Sequence, residues 1–392
     1  MTIGIFTIHT GYSEGSVLQA LALALLVQEV TGQAAEIVDH RHRVQDEPRF
    51  GPPSNARKRA IAAFRESVLP LSSSRFIDDP RAAWAYARER YDAVLVGSEE
   101  VWKIAYRPRL RGLIRAQDDP HVPAFPNAYW PDASVGHRFA YAATVGTKTD
   151  WRGIPFFRRW QIARRLRGMS AIGYRDERTR AFIKAIAPDA VARSLRVPDP
   201  VLGYDLLPFA RDEVRPLLER LGVDFERPRV AILAGRNPKV AGLVPQLAEQ
   251  GFQTVALSFA TPGVELDLSE ADLSPLEWAA AFGCFDLVVS DRMHACLFAL
   301  RNLTPLILLD ARKPTMGYPT KNAEIAARFG LEDFYFALDK SRTSPEGLAL
   351  AARRAVAGGF PAARVAEVLA EEREIAVDFL KGVRLGHAKT ES

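Results

Sequence analysis

Short apolar runs and helical stretches alternate along this chain in two successive series, and that alternation restricts the fold more than any other feature. Thr2 to Ile8 reads as a buried strand, about Gly15 to Thr31 as a long helix, and Ala35 to Val38 as the second strand. Ala93 to Val96, Phe139 to Ala143 and Ser170 to Gly173 read as further strands, with a helix over Ile154 to Gly168 before the last of them. His40 to Pro80 reads as loops and a short helix, and 104–136, rich in Pro, Asp and Arg, as one long loop. Pro198, Pro200 and Pro208 then punctuate the chain, and a second series begins. Its strands are Arg229 to Leu233, Thr254 to Leu257, Asp286 to Val289 and Pro305 to Leu309. Its helices are Val240 to Glu249, Leu276 to Phe282 and Arg292 to Arg301, then about Asn322 to Phe329, Pro345 to Ala355 and Ala362 to Leu380. Continuous apolar strands separated by helices imply parallel sheets covered on both faces. The expected fold is α/β: two Rossmann-like domains, residues 1–203 and 204–392, facing across a cleft, with the C-terminal helices crossing back. Ligands are then expected at the strand C-termini lining that cleft.

Length and composition remove competing classes. At about 150 residues per domain, 392 residues give two to three domains. With 48% hydrophobic and 25% charged residues, the chain is neither disordered nor fibrous. Two cysteines, Cys284 and Cys296, cannot build a disulfide framework, so a reducing compartment is expected. The longest apolar run, Val17 to Val27, holds Gln19 and is too short to cross a bilayer. It lacks the basic start and cleavage site of a signal peptide, so a cytoplasmic location is expected. The net charge of +5 suits anionic substrates. No nucleic-acid partner is expected, because the basic residues are not interleaved with aromatics on a recognisable module.

Several segments carry chemistry. The turn after the first strand, Gly11-Tyr12-Ser13-Glu14-Gly15, aims a helix N-terminus at whatever sits there, but its spacing is not the dinucleotide fingerprint. It reads as a tight strand–helix turn or as a place for an anion. Gly97-Ser98-Glu99-Glu100 reads as a helix N-cap, the alternative being that Ser98 or Glu99 holds a hydroxyl. Ser290-Asp291-Arg292-Met293-His294 joins a strand end to a helix start. There, free backbone amides, a guanidinium and an imidazole suit a phosphate and a proton transfer. Arg175 follows a strand and is a candidate anion ligand, while Asp176 and Glu177 cap the next helix. Arg312, Lys313 and Lys321 lie one loop beyond His294. The helix carrying Arg158, Arg159, Arg164, Arg165 and Arg167 reads as a solvated face, with at most peripheral membrane contact. No Walker loop, zinc-type cysteine pair or HExxH occurs, so no metal is expected. His9, His40, His42, His121, His137 and His387 show no ligand spacing.

From about Ile3 to Asp333 the chain resembles the polysaccharide pyruvyl transferase family. The pieces that carry the resemblance, in order, are Gly11 to Gln19 (GYSEGSVLQ), Val38 to Arg41 (VDHR) and Tyr91 to Trp102 (YDAVLVGSEEVW). They continue with Tyr141 to Gly146 (YAATVG), Gly173 to Glu177 (GYRDE) and Val197 to Pro200 (VPDP). Asp286 to Phe298 (DLVVSDRMHACLF) and Arg328 to Asp333 (RFGLED) complete them. The resemblance implies a fold similar to the GT-B glycosyltransferases. It also implies transfer of a pyruvyl group from phosphoenolpyruvate to sugar hydroxyls as a cyclic ketal, with no separate cofactor. The family's arginine and histidine map onto Arg292 and His294, its downstream basic residue onto Lys313 or Arg312, and the arginine of its Arg-Asp-Glu segment onto Arg175. Ser290, Gly11, Ser13, Glu14, Gly15, Ser98 and Glu99 complete the expected substrate contacts. The first domain is then the acceptor side and the second the donor side, with the 104–136 loop deciding the acceptor. The acceptor is a sugar or glycan, lipid-linked or free. Two positions depart from the family pattern: its usual first-turn asparagine is Ser13 or Glu14 here, and the glycine after the histidine is Ala295. The alternative activity on the same fold is glycosyl transfer from a nucleotide-sugar.

Overall fold

The computed structural model describes residues 2–42, 51–109, 114–117, 122–147, 149–210, 212–234, 237–311, 316–339 and 343–385. The chain divides into two compact units: residues 1–52, 64–204 and 372–392 form one, and residues 53–63 and 205–371 the other. The sequence division at 203/204 therefore misses two exchanges. Residues 53–63 belong with the second unit, and residues 372 onward return to the first, as the crossing-back of the C-terminal helices anticipated.

The strands of the first unit are β1 (Thr2–Phe6), β2 (Ala34–Arg41), β3 (Leu71–Ile77) and β4 (Ala93–Val96). They are followed by an antiparallel pair, β5 (Tyr106–Arg109) and β6 (Ile114–Gln117), and then by β7 (His137–Ala143), β8 (Ala171–Tyr174) and β9 (Ser194–Arg196). Among the described residues the main sheet runs β3-β2-β1-β4-β7-β8-β9, and every pairing is parallel. β4 is buried along its whole length, as a parallel strand covered on both faces must be. The helix Glu14–Thr31 is buried nearly all round, which explains the apolar run Val17 to Val27. It packs beside the short helix Pro200–Gly203, where a Cβ on Gly203 would lie 2.9 Å from Leu26 and 3.0 Å from Ala376. Ala376 belongs to the returning half of the last helix, Ala362–Leu385. That half is fixed by Arg196, which donates to both carboxylate oxygens of Glu372 at 2.8 and 2.7 Å, and by Phe379 against Tyr141.

Two parts of the expectation need correction. His40 to Pro80 is not loop with a short helix: it contains β3 and the helix Ala56–Val68. β3 is an edge strand reading LSSSRFI, with alternating burial and so no apolar run to announce it. The 104–136 segment contains β5 and β6 as well as loop.

The second unit holds β10 (Arg229–Leu233), β11 (Gln253–Ala256), β12 (Leu266–Asp267), β13 (Leu287–Ser290), β14 (Leu306–Asp310) and β15 (Tyr335–Ala337). The order is β12-β11-β10-β13-β14-β15, again all parallel. The helix Pro275–Ala281 starts with a full capping box between Ser274 and Glu277. In each sheet the chain leaves a central strand in one direction and returns on its other side. The resulting switch points lie between β1 and β4 and between β10 and β13. Crevices at the C-terminal ends of such strands are where ligands bind in doubly wound sheets.

Candidate functional site

The β10/β13 switch point is organised by Ser290. This residue is fully buried, and its hydroxyl donates to the Leu233 carbonyl at 3.0 Å and accepts from the Arg292 amide at 3.0 Å. One side chain thus ties the end of β13 to the end of β10 and sets the direction of the turn. Arg292 occupies the N-cap position of the helix Met293–Arg301, and no side chain caps that helix. The amides of its first turn are therefore not taken up by a cap, and the positive end of the helix dipole is available to an anion. The Arg292 guanidinium stacks 4.3 Å from the Phe259 ring centroid, and its Nε lies 2.9 Å from Asp291 Oδ1. The aromatic face and the carboxylate hold the guanidinium in place while its side chain remains 42% exposed. His294 is half-buried on the first turn of the same helix. The arrangement joins a fixed cation, an uncapped helix start and an imidazole within three residues. Cys296, behind them, is a buried core thiol whose pKa burial pushes up. Lys313, with Arg312, lies outside the described residues.

The β1/β4 switch point of the first unit carries a hydrogen-bonded chain. Gly11 takes φ +97°, and Ser13 caps the helix Glu14–Thr31 by accepting from the Ser16 amide at 3.4 Å. Glu14 and Gly15 open that helix as buried residues. The Ser16 hydroxyl donates to Glu99 Oε1 at 3.1 Å. Glu99 Oε2 lies 3.9 Å from Arg175 Nη2, and Arg175 Nη1 donates to Asp199 Oδ2 at 2.9 Å. Gln19 donates to the same Asp199 oxygen at 2.7 Å. Four segments far apart in sequence therefore meet here. Burial works against the charge of Arg175, but Asp199, Glu99, Asp176 and Glu100 outweigh it and hold its pKa above the ordinary arginine value. Arg175 is thus a compensated cation among carboxylates. Its Nε and Nη2 have no hydrogen-bond acceptor.

Gly97-Ser98-Glu99-Glu100 does not cap a helix, contrary to the expected N-cap. Glu99 bridges to Ala143 on the neighbouring strand, and its carbonyl accepts from the Thr144 amide at 3.0 Å. Gly97 is needed for this course: it has φ +128°, and a Cβ there would meet the Tyr141 carbonyl oxygen at 1.9 Å. The Ser98 side chain is fully buried with no partner for its hydroxyl. Glu99 itself takes φ +73°, the left-handed region that a non-glycine residue occupies only when its surroundings demand it.

Sequence reasoning also missed a cluster beyond β1 and β2. Buried Asp39 accepts from Arg41 Nε at 2.7 Å and Arg75 Nε at 2.7 Å, with His9 Nε2 at 3.1 Å. Burial raises the Asp39 pKa, yet these hydrogen bonds hold it far below the usual carboxylate range. His40 and His42 stand 4.4 Å apart and are buried. Burial lowers the His40 pKa to about 4 and the His42 pKa to about 3. No group of three or more His, Cys, Asp or Glu among the described residues could hold a metal ion.

Two parallel Rossmann-like sheets, each with polar and charged residues at its switch point, give an α/β fold of the GT-B kind. The Neisseria meningitidis UDP-GlcNAc 2-epimerase has a similar fold: TM-score 0.55 at 10% identity, covering 97% of this chain and 99% of that one. The putative UDP-N-acetylglucosamine 2-epimerase from Listeria monocytogenes gives TM-score 0.54 at 12% identity, covering 100% and 97%. The spinosyn forosaminyltransferase SpnP gives 0.52 at 12%, covering 99% and 100%. At these identities the likeness establishes the fold alone. No curated protein sequence matches the chain. The family model for polysaccharide pyruvyl transferase matches residues 15–311, so the chain belongs to that family, whose members are transferases acting on polysaccharide. Among the described residues no helix is long and apolar enough to cross a membrane.

Proposed function

We propose that this chain transfers the pyruvyl group of phosphoenolpyruvate to two hydroxyls of a sugar in a glycan or glycan precursor, forming a pyruvate ketal and releasing phosphate. The observation that carries this reading is the junction after β13, where Arg292, an uncapped helix start and His294 stand together. Phosphoenolpyruvate presents a phosphate and a carboxylate, which a held guanidinium and helix amides bind. His294, as imidazolium, protonates the methylene carbon and generates an oxocarbenium-like centre. The first sugar hydroxyl adds its oxygen to that centre and returns its proton to the imidazole. The carbon–phosphate oxygen bond breaks, and the neighbouring hydroxyl closes the ring with its proton leaving on phosphate. One hydroxyl proton thus ends on the methyl group and the other on phosphate. General acid–base help of this kind is worth about 10²–10⁴-fold.

The second unit is read as the donor side. The Ser16–Glu99–Arg175 chain, rich in carboxylates, suits hydroxyl groups and is read as part of the acceptor side. Ser13 and Gly15 frame that turn. The acceptor is a sugar or glycan, and no further cofactor is invoked.

The test is incubation of the full chain with phosphoenolpyruvate and a panel of glycan acceptors. Phosphate release matched one-to-one by an acid-labile mass gain of one pyruvate less one water supports the proposal. Phosphate release without any such gain, or acceptor modification only with a nucleotide-sugar, refutes it.

A further inference from the structure

The helix Phe156–Arg167 breaks the burial pattern of the first unit. Phe156 is 86% exposed, more than any other large apolar side chain described, and Phe157 and Trp160 are 61% and 49% exposed. At 100° per residue, Phe156, Phe157, Trp160, Arg164 and Arg167 share one face, opposite the buried Ile162 and Leu166. Phe157 and Trp160 stack with their rings 6.1 Å apart. The twelve residues FFRRWQIARRLR include five arginines and no acid. Arg158, Arg159 and Arg164 have no carboxylate partner among the described residues: Arg158 bonds Gln161, Arg159 the Ala185 carbonyl, and Arg164 lies over Trp160.

Beside Trp160 lies a groove of about 700 Å³ lined by Arg138, Arg164, Arg165 and Arg167, with Asp132 on the same wall. Arg138 is 7% exposed, and its Nε has no hydrogen-bond acceptor. Asp132 is 3.8 Å from Arg165 and Asp189 pairs with Arg167 at 2.9 Å, so two carboxylates meet four guanidiniums, and Arg138 and Arg164 have no carboxylate within ion-pair distance among the described residues. Apolar rings projecting from a cationic helix, next to an arginine-lined groove, match the two layers of an anionic bilayer surface.

We propose that this helix docks the protein on an anionic lipid surface: Phe156, Phe157 and Trp160 enter the headgroup layer, and the arginine-lined groove takes a lipid phosphate. The docking does not depend on the transfer reaction, and its test uses no activity.

Of the six tryptophans, all described, Trp160 is exposed and the other five are buried, so quenching by lipid reports on this helix. The full chain is mixed with phosphatidylcholine vesicles, with and without phosphatidylglycerol, and binding is read by flotation. Trp160 insertion is read by quenching with brominated lipid. The expected result is binding to the phosphatidylglycerol vesicles that weakens with salt, with quenching that Trp160→Phe abolishes. Replacing Phe156, Phe157 and Trp160 by serine is expected to lower partitioning by about tenfold or more without a change in thermal midpoint. Arg164→Glu is expected to lower it also. No binding to the anionic vesicles, equal binding to neutral ones, or unchanged partitioning of the serine variant overturns the proposal. So does a dimer in light scattering that the serine substitutions dissolve, since the rings then meet a second copy.

Discussion

Arg175 donates from Nη1 to Asp199 Oδ2 at 2.9 Å, and the two side chains are 8% and 3% exposed. The same aspartate oxygen accepts from Gln19, and Asp199 also caps the helix Pro200–Gly203. Asp199 thus joins the strand end that bears Arg175 to the first helix of the chain. Its removal leaves a buried guanidinium beside no carboxylate closer than Glu99 at 3.9 Å. We expect Asp199→Ala to destabilise the first unit by about 3–5 kcal/mol, the range for breaking a buried pair on one side. Urea unfolding of the variant checks this; a loss below about 1 kcal/mol would show the pair to be structurally idle.

His294 and Arg292 are expected to separate kinetically. His294→Ala should lower turnover by about 10²–10⁴-fold with donor affinity kept. Arg292→Ala should instead weaken donor binding, and Arg292→Lys should not restore it, because a lysine lacks the planar fork. Steady-state kinetics with phosphoenolpyruvate, paired with donor titration, reads both. Wild-type turnover in His294→Ala, or unchanged donor affinity in Arg292→Ala, contradicts the assigned roles.

Acid sensitivity should trace to His40 and His42. Their folded-state pKa values, about 4 and about 3, lie below the ordinary 6.5. Between those limits the unfolded chain binds protons that the folded chain does not, so stability falls as pH drops from about 6.5 towards 4. Each group contributes up to about 3 kcal/mol to that fall. His40→Phe is expected to flatten the acid limb of a urea-midpoint profile. Equal limbs in wild type and variant would exclude His40 as the source.

Gly97→Ala should be among the most damaging single substitutions. The added Cβ would meet the Tyr141 carbonyl oxygen at 1.9 Å at a φ of +128°, and backbone cannot give way as a flexible side chain can. The expected outcome is loss of soluble folded protein, or an overpacking cost of about 3 kcal/mol or more. A variant that unfolds at the wild-type midpoint contradicts the close approach.

Much of this architecture was legible because burial on both faces leaves local traces. AVLV and LILL are continuous apolar runs, and Ser274-Pro275 with Glu277 announces a helix start by itself. β3 left no such trace, because an edge strand with exposed positions reads as polar loop. The same divide runs through the site. Ser290, Arg292 and His294 lie in one strand–helix junction, so their grouping could be read from five residues. The Ser16–Glu99 and Gln19–Asp199 contacts span 83 and 180 positions, and only the order of the strands brings them together. Gly97-Ser98-Glu99 was misread for the same reason. A glycine, a serine and an acid after a strand are the chemistry of a cap, and the Tyr141 carbonyl that dictates the glycine is invisible locally.

Donor choice is the central claim, and thermal unfolding of the full chain with phosphoenolpyruvate, phosphate, UDP and GDP tests it without knowledge of the acceptor. A ligand at about 100 times its dissociation constant adds about 2.7 kcal/mol, a shift of several degrees. The expected result is a shift with phosphoenolpyruvate well beyond that with phosphate, lost in Arg292→Ala, and none with either nucleotide. A shift with UDP or GDP and none with phosphoenolpyruvate would contradict it and make the chain a nucleotide-sugar glycosyltransferase.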